Sequence, residues 1–268
     1  MRCGRYSSCE PASVISFKEV VKGFGPKPVL RGFTLEVLDG ETMIILGYSG
    51  TGKSVALKHI VGLLDPDSGR VEVDGQIVHL LDRDGLTQLR STIGYVFQFA
   101  ALFDSMTVEE NLSLALKRRH LGVAEIRDRV AESLAVVDLE GSEGRYPAEL
   151  SGGMRKRVGI ARAIALRPKY ILWDEPTTGL DPVTSAVINQ LIVRTREKLG
   201  VTGIVVTHDL ESAYMIGDRI AMLYQGQIRQ VAPVDQFRRT HDPIIRQFLD
   251  GRPEAAGDAE LGGVEAAR

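Results

Sequence analysis

Two glycine-rich segments of the sequence have the residue types that bind anions. The first, "GYSGTGKS", matches the pattern G-x-x-x-x-G-K-[ST]. Its glycines let successive backbone N–H groups converge on phosphate oxygens, and the helix that follows adds its positive N-terminal dipole. We predict that Lys53 reaches the β- and γ-phosphates of a nucleotide and that the Ser54 hydroxyl ligates Mg²⁺. The predicted cofactor-binding residues of this loop are Gly47, Tyr48, Ser49, Gly50, Thr51, Gly52, Lys53 and Ser54.

Three polar side chains close apolar runs that have the length of buried strands. Asp174 and Glu175 end "YILWDE", and His208 ends "GIVVTH". Ligands of open α/β folds bind at the carboxyl edge of the sheet, where these side chains would meet the phosphate loop. We predict that Asp174 holds Mg²⁺ through water, that Glu175 polarises the attacking water, and that His208 hydrogen-bonds the γ-phosphate. The alternatives are solvated strand ends and a structural histidine.

One amide residue and one aromatic residue are weaker candidates for the same site. Gln98 follows the strand-like "GYVF" and is predicted to contact Mg²⁺ and the attacking water. Phe24, in "KGFG", is predicted to stack on adenine, although a core phenylalanine is the alternative.

The second glycine-rich segment, "LSGGMRKRVGIARA", spans Leu150 to Ala163. It opens with Ser151, Gly152 and Gly153, which could cradle an anion, and then becomes helical and basic. We predict that Lys156 lies on a solvated face of that helix. Residue types alone do not explain why one chain has two anion cradles.

These residues depend on elements that hydrophobic periodicity predicts. "ETMIILG", "STIGYVFQ", "KYILWDE" and "TGIVVTH" are continuous apolar runs, typical of strands buried on both faces, and they alternate with helical stretches. "VISFKEVVKGF", "GFTLEVLDG" and "GRVEVDGQIV" alternate as antiparallel strands do, and Asp74-Gly75 is a hairpin signal. A helical, charged pattern runs from Thr107, which forms a capping box with Glu110, to about Leu150.

The predicted fold class is α/β, with a parallel P-loop NTPase core, an antiparallel β subdomain and an inserted α-helical subdomain at about residues 99–155. The predicted domain covers residues 13–249. Residues 1–12 are predicted to be a flexible tail, and residues 250–268, which have few apolar side chains, are predicted to be disordered.

The composition excludes several classes of protein. The 268 residues are 44% hydrophobic and 25% charged with a net charge of −2, so the chain is not a polycation that seeks nucleic acid. No run approaches a membrane span, and the N-terminus lacks an apolar signal core, which predicts a cytoplasmic protein. Cys3 and Cys9 are predicted to be reduced thiols on the tail.

Five motifs in order resemble the nucleotide-binding subunits of ABC transporters over about residues 14–240. They are "GYSGTGKS", Gln98, "LSGGMRKRVGIARA", "YILWDEPTTGLDP" and "VVTHD". The resemblance implies a RecA-like core, ATP and Mg²⁺ as cofactors, and a head-to-tail dimer with two ATP molecules at the interface. It also implies that the segment from Ser151 to Gly153 faces the γ-phosphate held by the other subunit. Asp181 would link the two sites, and Glu175 matches the family's general base.

Four further sequence segments resemble those of the MlaF-type ATPases of lipid-trafficking systems. The matching stretches are "GKSVALK", "FQFAALFDSMTVEENL", "DEPTTGLDPVTS" and "PIIRQFLDG". The resemblance implies phospholipid transport with an integral permease, an MCE-domain protein and a STAS-domain protein, at the cytoplasmic face of the inner membrane. It implies that Phe248 and Leu249 reach the opposite subunit. The residues expected to receive a permease helix are Ala100, Ala101, Leu102, Phe103 and Met106. The alternative is that these residues pack inside the helical block.

Other functions compete with this interpretation. An importer ATPase for a polar solute such as an amino acid shares every catalytic motif. A soluble ABC protein acting on ribosomes or DNA is disfavoured, because the chain has one ATPase domain, no room for a long coiled coil and a near-neutral charge. A binding module without turnover is disfavoured because Lys53, Glu175 and His208 are all present.

Overall fold

The computed structural model describes residues 13–119 and 121–252. The predicted tail at residues 1–12, both cysteines and most of the predicted tail at residues 250–268 lie outside these described residues.

A six-stranded sheet forms the centre of the molecule, in the order β10-β9-β3-β8-β7-β6. Its strands are β3 (Thr42–Leu46), β6 (Ile93–Val96), β7 (Tyr170–Asp174), β8 (Thr202–Thr207), β9 (Arg219–Tyr224) and β10 (Gln227–Pro233). All pairs are parallel except β9 with β10, which form a hairpin. Alternate residues of β3 enter the two hydrophobic cores on opposite faces of the sheet, as the continuous apolar run predicts.

A separate antiparallel sheet packs beside one of these cores, in the order β2-β1-β4-β5. Its strands are β1 (Ser13–Phe24), β2 (Lys27–Leu38), β4 (Ser68–Val73) and β5 (Gln76–Ile77). Asp74 and Gly75 both have positive φ, 48° and 76°, as a tight hairpin turn requires. The two sheets confirm the predicted α/β fold class with its antiparallel part.

The described residues contain nine α-helices, of which the last two follow the final strand, β10. They are α1 (Lys53–Ile60), α2 (Arg83–Ser91), α3 (Val108–Lys117), α4 (Val123–Val136), α5 (Gly152–Ile164), α6 (Pro182–Leu199), α7 (Leu210–Ile216), α8 (Val234–Arg238) and α9 (Pro243–Leu249). Thr107 and Glu110 form both bonds of the predicted capping box at α3. No helix in the described part of the chain is long and apolar enough to cross a membrane.

The helical pattern predicted to continue to Leu150 is wrong beyond α4. That helix ends at Val136, and the left-handed residues Asp138 (φ 54°) and Gly141 (φ 76°) turn the chain before a short 3-10 turn at Pro147–Glu149. α2 was not predicted, because its mostly polar sequence buries only Leu89. Further along, α5 packs against α3 and α4 on one side and β6 on another, and so joins the helical region to the parallel sheet.

Candidate functional site

The carboxyl ends of four parallel strands bring the predicted residues to one edge of the sheet. Gly47 follows β3, Glu175 follows β7, His208 follows β8, and Gln98 lies two residues beyond β6. The strand register aligns these ends, because it pairs Leu46 with Thr207, Asp174 with Val206, and Val96 with Trp173. The sheet therefore places residues that are far apart in sequence at the position where open α/β folds bind ligands.

The phosphate loop, Gly47–Ser54, has a backbone that only glycine allows at two points. A Cβ on Gly47 would lie 2.6 Å from the Leu223 carbonyl oxygen. Gly52 has φ 103°, and a Cβ there would lie 2.7 Å from Val29 Cγ1. The absence of both side chains lets the loop fold tightly between β3 and α1, with the helix N-terminus at its end.

Lys53 lies buried across this loop. Its Nζ donates to the carbonyl oxygens of Gly47 and Tyr48, both at 2.9 Å, and lies 3.2 Å from Oε1 of Glu175. A fixed cation with low solvent exposure interacts strongly with negative charge, so this position suits the phosphates of a nucleotide.

Oxygen ligands lie beside the lysine. Ser54 Oγ donates to Asp174 Oδ1 at 2.7 Å. Ser54 and Gln98 both line a cavity at the phosphate loop. Hydroxyl, carboxylate and amide oxygens are the ligands that Mg²⁺ prefers, and Mg²⁺ usually keeps several waters, so this set fits the ion. Tyr95 donates to Asp174 Oδ2 at 3.0 Å, and burial together with the Asp174 charge raises the pKa of its phenol. Tyr95 was missed in the sequence because a strand tyrosine carries no motif.

Glu175 combines a strained backbone with a fully bonded carboxylate. Its φ is 49°, a left-handed conformation that costs a residue other than glycine about 1–3 kcal/mol. The backbone is held by a bond from its N–H to the Val206 carbonyl at 3.0 Å. Oε2 accepts from Thr178 Oγ1 at 2.9 Å and lies 2.8 Å from His208 Nδ1. The histidine thus orients a carboxylate that can accept a proton from water.

A cavity of about 480 Å³ collects most of these side chains. Its lining includes the predicted residues Phe24, Ser49, Gly50, Gly52, Lys53, Ser54, Gln98, Glu175 and His208. The sequence did not indicate Lys27, Val29, Val55 or Thr178, which also line it. Phe24 is 48% exposed at the end of β1, so it is a surface aromatic of this cavity and not a core residue.

The described residues that line this cavity do not include Ser151, Gly152 or Gly153 of the second cradle. Ser151 is exposed, and its hydroxyl accepts from the Met154 N–H at 3.2 Å, which caps α5. Gly152 is exposed and Gly153 is half-buried, and a Cβ on Gly153 would lie 2.9 Å from Thr184 Cγ2. Within one chain, these residues contact the start of α6 and their own helix.

Asp181 lies next to this second cradle and caps α6. Its carboxylate accepts from the Thr184 N–H at 3.0 Å and from the Thr184 hydroxyl at 2.6 Å. These hydrogen bonds lower the pKa of Asp181, because they favour the ionised form. A second cavity of about 540 Å³ is lined by Leu180 and Pro182, the neighbours of Asp181 in sequence, and shares Thr178 and His208 with the cavity at the phosphate loop.

The prediction that Lys156 lies on a solvated helix face is wrong. The residue is 8% exposed, and its Nζ donates to the backbone carbonyls of Glu175, Pro176 and Thr178. Helical periodicity did not reveal this burial, because the loop that covers Lys156 comes from another part of the chain.

The C-terminal helix α9 contacts the phosphate loop of its own chain. Phe248 packs edge-on against Tyr48, with ring centroids 4.7 Å apart and an angle of 85° between the rings. Phe248 and Leu249 pack on the core of this chain, and their reach to an opposite subunit stays a prediction. The Tyr48 ring therefore faces α9, while its carbonyl belongs to the phosphate loop.

Comparison with known proteins explains this arrangement. The profile of the ABC transporter family matches residues 30–178, more than half of the chain. The chain belongs to the ABC transporter family. As an ATP-binding subunit of this family it is an ATPase, and it binds ATP with Mg²⁺. The match includes the phosphate loop, the Ser151 segment and the loop that begins at Glu175.

Relatives of this ABC subunit carry names that refer to different classes of compound. It is 40% identical over 89% of its length to the probable ribonucleotide transport ATP-binding protein mkl of Mycobacterium leprae, covering 69% of that protein. It is 41% identical over 88% of its length to the methionine import ATP-binding protein MetN of Xylella fastidiosa, covering 72% of that protein. It is 39% identical over 89% of its length to the chloroplastic protein TRIGALACTOSYLDIACYLGLYCEROL 3 of Arabidopsis thaliana, covering 74% of that protein.

A solved ATP-binding cassette shares the fold. That structure is a dimer in a post-hydrolysis state with ADP and Pi, and it is 37% identical to this chain with a TM-score of 0.75. The superposition covers 82% of this chain and 98% of the solved cassette.

Proposed function

We propose that this ABC ATPase powers phospholipid transport across a cell envelope together with a separate membrane permease. The observation that carries the proposal is an apolar surface that follows Gln98. Phe99 is 79% exposed and Phe103 is 51% exposed, and both belong to the stretch that resembles MlaF-type ATPases. Exposed aromatic side chains concentrated in one short segment favour an interaction site.

A groove lies beside this segment. Its volume is about 420 Å³, and its lining combines Phe97, Ala101 and Phe103 with Leu114 and Arg118 of α3 and its C-terminal end. Of the residues expected to face the permease, Ala101 and Phe103 are exposed, while Leu102 packs on the core. An amphipathic helix of the permease could place its apolar side in this groove.

The cargo is proposed from the resemblance and from one relative. The relative from Arabidopsis thaliana is named for a galactolipid, which supports a lipid cargo. The sequence segments that resemble MlaF-type ATPases also support a lipid cargo. They support an MCE-domain protein and a STAS-domain protein as partners, with this chain at the cytoplasmic face of the inner membrane.

We propose that two copies of the chain assemble head to tail around two ATP molecules. Lys53 and the phosphate-loop amides bind the phosphates, and Phe24 stacks on adenine. The segment from Ser151 to Gly153 faces the γ-phosphate in the partner's loop, which accounts for its exposure and its separation from the cavity of its own chain. The solved cassette with ADP and Pi, which is a dimer, supports this arrangement.

Hydrolysis in each site depends on the carboxyl edge of the sheet. Ser54, Asp174 and Gln98 would hold Mg²⁺, which neutralises phosphate charge when bound. Glu175 accepts the proton of the attacking water, His208 contacts the γ-phosphate and orients Glu175, and Asp181 links the two sites. Dimer closure around ATP drives the permease, and hydrolysis reopens the dimer.

An importer of a polar solute such as an amino acid is the second candidate. The 41% identity to the methionine import ATP-binding protein favours it. The two candidates differ in what the membrane partner carries and in the other proteins of the complex.

The test is isolation of the complex from membranes. An affinity-tagged full-length chain is purified from detergent-solubilised membranes, and the bound proteins and lipids are identified by mass spectrometry. Recovery of a permease with an MCE-domain protein and enriched phospholipid supports the proposal. Recovery of a permease with a solute-binding protein, and ATPase stimulation by an amino acid, would contradict it. A Phe103→Glu variant should lose the permease and keep its nucleotide affinity.

A further inference from the structure

A buried lysine in α5 contacts the loop that carries the proposed general base. Lys156 Nζ donates to the carbonyl oxygens of Glu175 at 3.5 Å, Pro176, and Thr178 at 3.1 Å. These residues belong to the base loop, Glu175–Thr178, which leaves the end of β7. Three contacts from one ammonium group fix several residues of this loop relative to α5.

The base loop needs such support for two reasons. Glu175 has φ 49°, a conformation that persists in a residue other than glycine only when its surroundings hold it. The Pro176 carbonyl that Lys156 contacts is buried, where an unpaired carbonyl is unfavourable. Pro176 has no N–H, so the loop has one backbone donor fewer to hold it in place.

The partners of Lys156 also explain why a charged residue is buried there. Its hydrogen bonds go to backbone carbonyls, and the Glu175 carboxylate adds a favourable charge interaction. Burial lowers the pKa of Lys156 to about 8, which shows that desolvation outweighs this attraction. A buried lysine is unfavourable without partners, so its position depends on the conformation of the base loop.

We propose that Lys156 is a positioning residue that fixes the base loop and thereby directs the Glu175 carboxylate to the attacking water. This inference rests on the proposed role of Glu175. Because Ser151 caps the same helix, Lys156 also connects the cradle offered to the partner's ATP with the base that acts on this subunit's own ATP.

The test uses purified full-length protein with three substitutions. Lys156→Met removes the donors and keeps much of the aliphatic stem, while Lys156→Gln keeps an amide donor. Lys169→Met is the control. Lys169 lies just before the first residue of β7, at the end of the strand opposite the base loop, and its Nζ pairs with Asp74 Oδ1 at 2.6 Å. Steady-state ATPase assays give kcat and KM, and hydrogen–deuterium exchange follows peptides that contain the base loop.

Lys156→Met should lower kcat by about 10- to 100-fold, since a small misplacement of a reacting group has effects of this size. Its KM for ATP should stay within about twofold, because the phosphate-binding groups are unchanged. Exchange in the base loop should rise. Lys156→Gln should recover part of kcat and part of the protection from exchange, and Lys169→Met should behave as wild type in both measurements.

Glu175→Gln separates this inference from the proposed function. If Glu175→Gln keeps wild-type turnover, the role of Glu175 is wrong and the positioning role falls with it. If Glu175→Gln is inactive while Lys156→Met keeps wild-type kcat and wild-type exchange in the base loop, only the Lys156 inference is overturned. The same holds if Lys156→Met lowers the Tm without changing kcat per folded molecule. When Lys156→Met is combined with Glu175→Gln, it should cause no further loss of turnover beyond that of Glu175→Gln alone.

Activity-independent measurements keep the test decisive. If the isolated chain hydrolyses ATP too slowly to assay, unchanged exchange in the base loop of Lys156→Met overturns the inference. If Lys156→Met does not fold, Lys156→Gln is judged by the same criteria against wild type.

Discussion

The two glycine-rich cradles of this chain differ in what their polar groups contact. In the phosphate loop, Lys53 and Ser54 already contact Glu175 and Asp174, so one chain assembles the loop, the cation and the carboxylates. In the second cradle, the Ser151 hydroxyl caps its own helix and the backbone around it is exposed. Similar residue types therefore produce a preorganised half-site and an outward-facing half-site. The difference fits the proposed head-to-tail dimer, in which the second cradle would complete a site on another chain.

The largest expected effect comes from Glu175, the proposed general base of the preorganised half-site. Glu175→Gln should lower kcat by about 10²- to 10⁴-fold, the contribution of general acid–base catalysis, because an amide cannot accept the proton. ATP binding should persist, and closed dimers should accumulate on size-exclusion chromatography with ATP. Glu36→Gln, at an exposed carboxylate on β2, is the control and should not change kcat. Wild-type turnover in Glu175→Gln would show that another group activates the water.

The next prediction tests directly whether the two cradles act on different chains. Ser151→Arg and Lys53→Ala should each be inactive as homodimers, since every site lacks one half. In an equal mixture, half of the dimers are mixed and each has one intact composite site, so about a quarter of wild-type activity should return. ATPase assays and counts of occluded nucleotide per dimer measure this recovery. If both cradles act within one chain, the mixture contains no intact site, and the absence of both activity and occluded ATP would contradict the head-to-tail arrangement.

Alanine substitutions at glycine should separate the two cradles by stability. Gly52→Ala places a Cβ 2.7 Å from Val29 Cγ1 at φ 103°. Such strain should lower the free energy of unfolding by about 1–3 kcal/mol. Gly152→Ala has its nearest neighbour, Arg155 Nη2, at 4.0 Å and should raise stability by up to about 1 kcal/mol, because alanine favours helix. Urea unfolding measures both values, and equal losses would show that the cradles are equally constrained.

The smallest expected effect concerns the cap on α5. Ser151→Ala removes the side-chain acceptor for the Met154 N–H and should lower the free energy of unfolding by about 1 kcal/mol. Ser49→Ala in the phosphate loop is the comparison and should change it by less than about 0.5 kcal/mol. Thermal denaturation resolves the difference. A neutral Ser151→Ala would mean that the hydroxyl does not stabilise its own helix.

Much of the fold and site could be predicted because the signals are local. The apolar run before Gly47 and the runs that end at Asp174 and Thr207 predict parallel strands, and their carboxyl ends must share one edge of the sheet. The turn at Asp74-Gly75 and the capping box at Thr107 were predicted for the same reason, since each is specified by neighbouring residues. The helical pattern beyond Val136 misled, because left-handed residues at Asp138 and Gly141 interrupt it.

The sequence by itself determined which groups could bind phosphate and Mg²⁺, because a loop motif and residues at strand ends fix their positions locally. Only the tertiary structure decided that Lys156 is buried under the base loop, that Tyr95 donates to Asp174, and that Phe248 packs on Tyr48. It also decided that Ser151, Gly152 and Gly153 do not line the cavity at the phosphate loop. These contacts join residues from distant parts of the chain. They depend on how each helix and loop docks on the sheet, which periodicity and spacing along one segment do not specify.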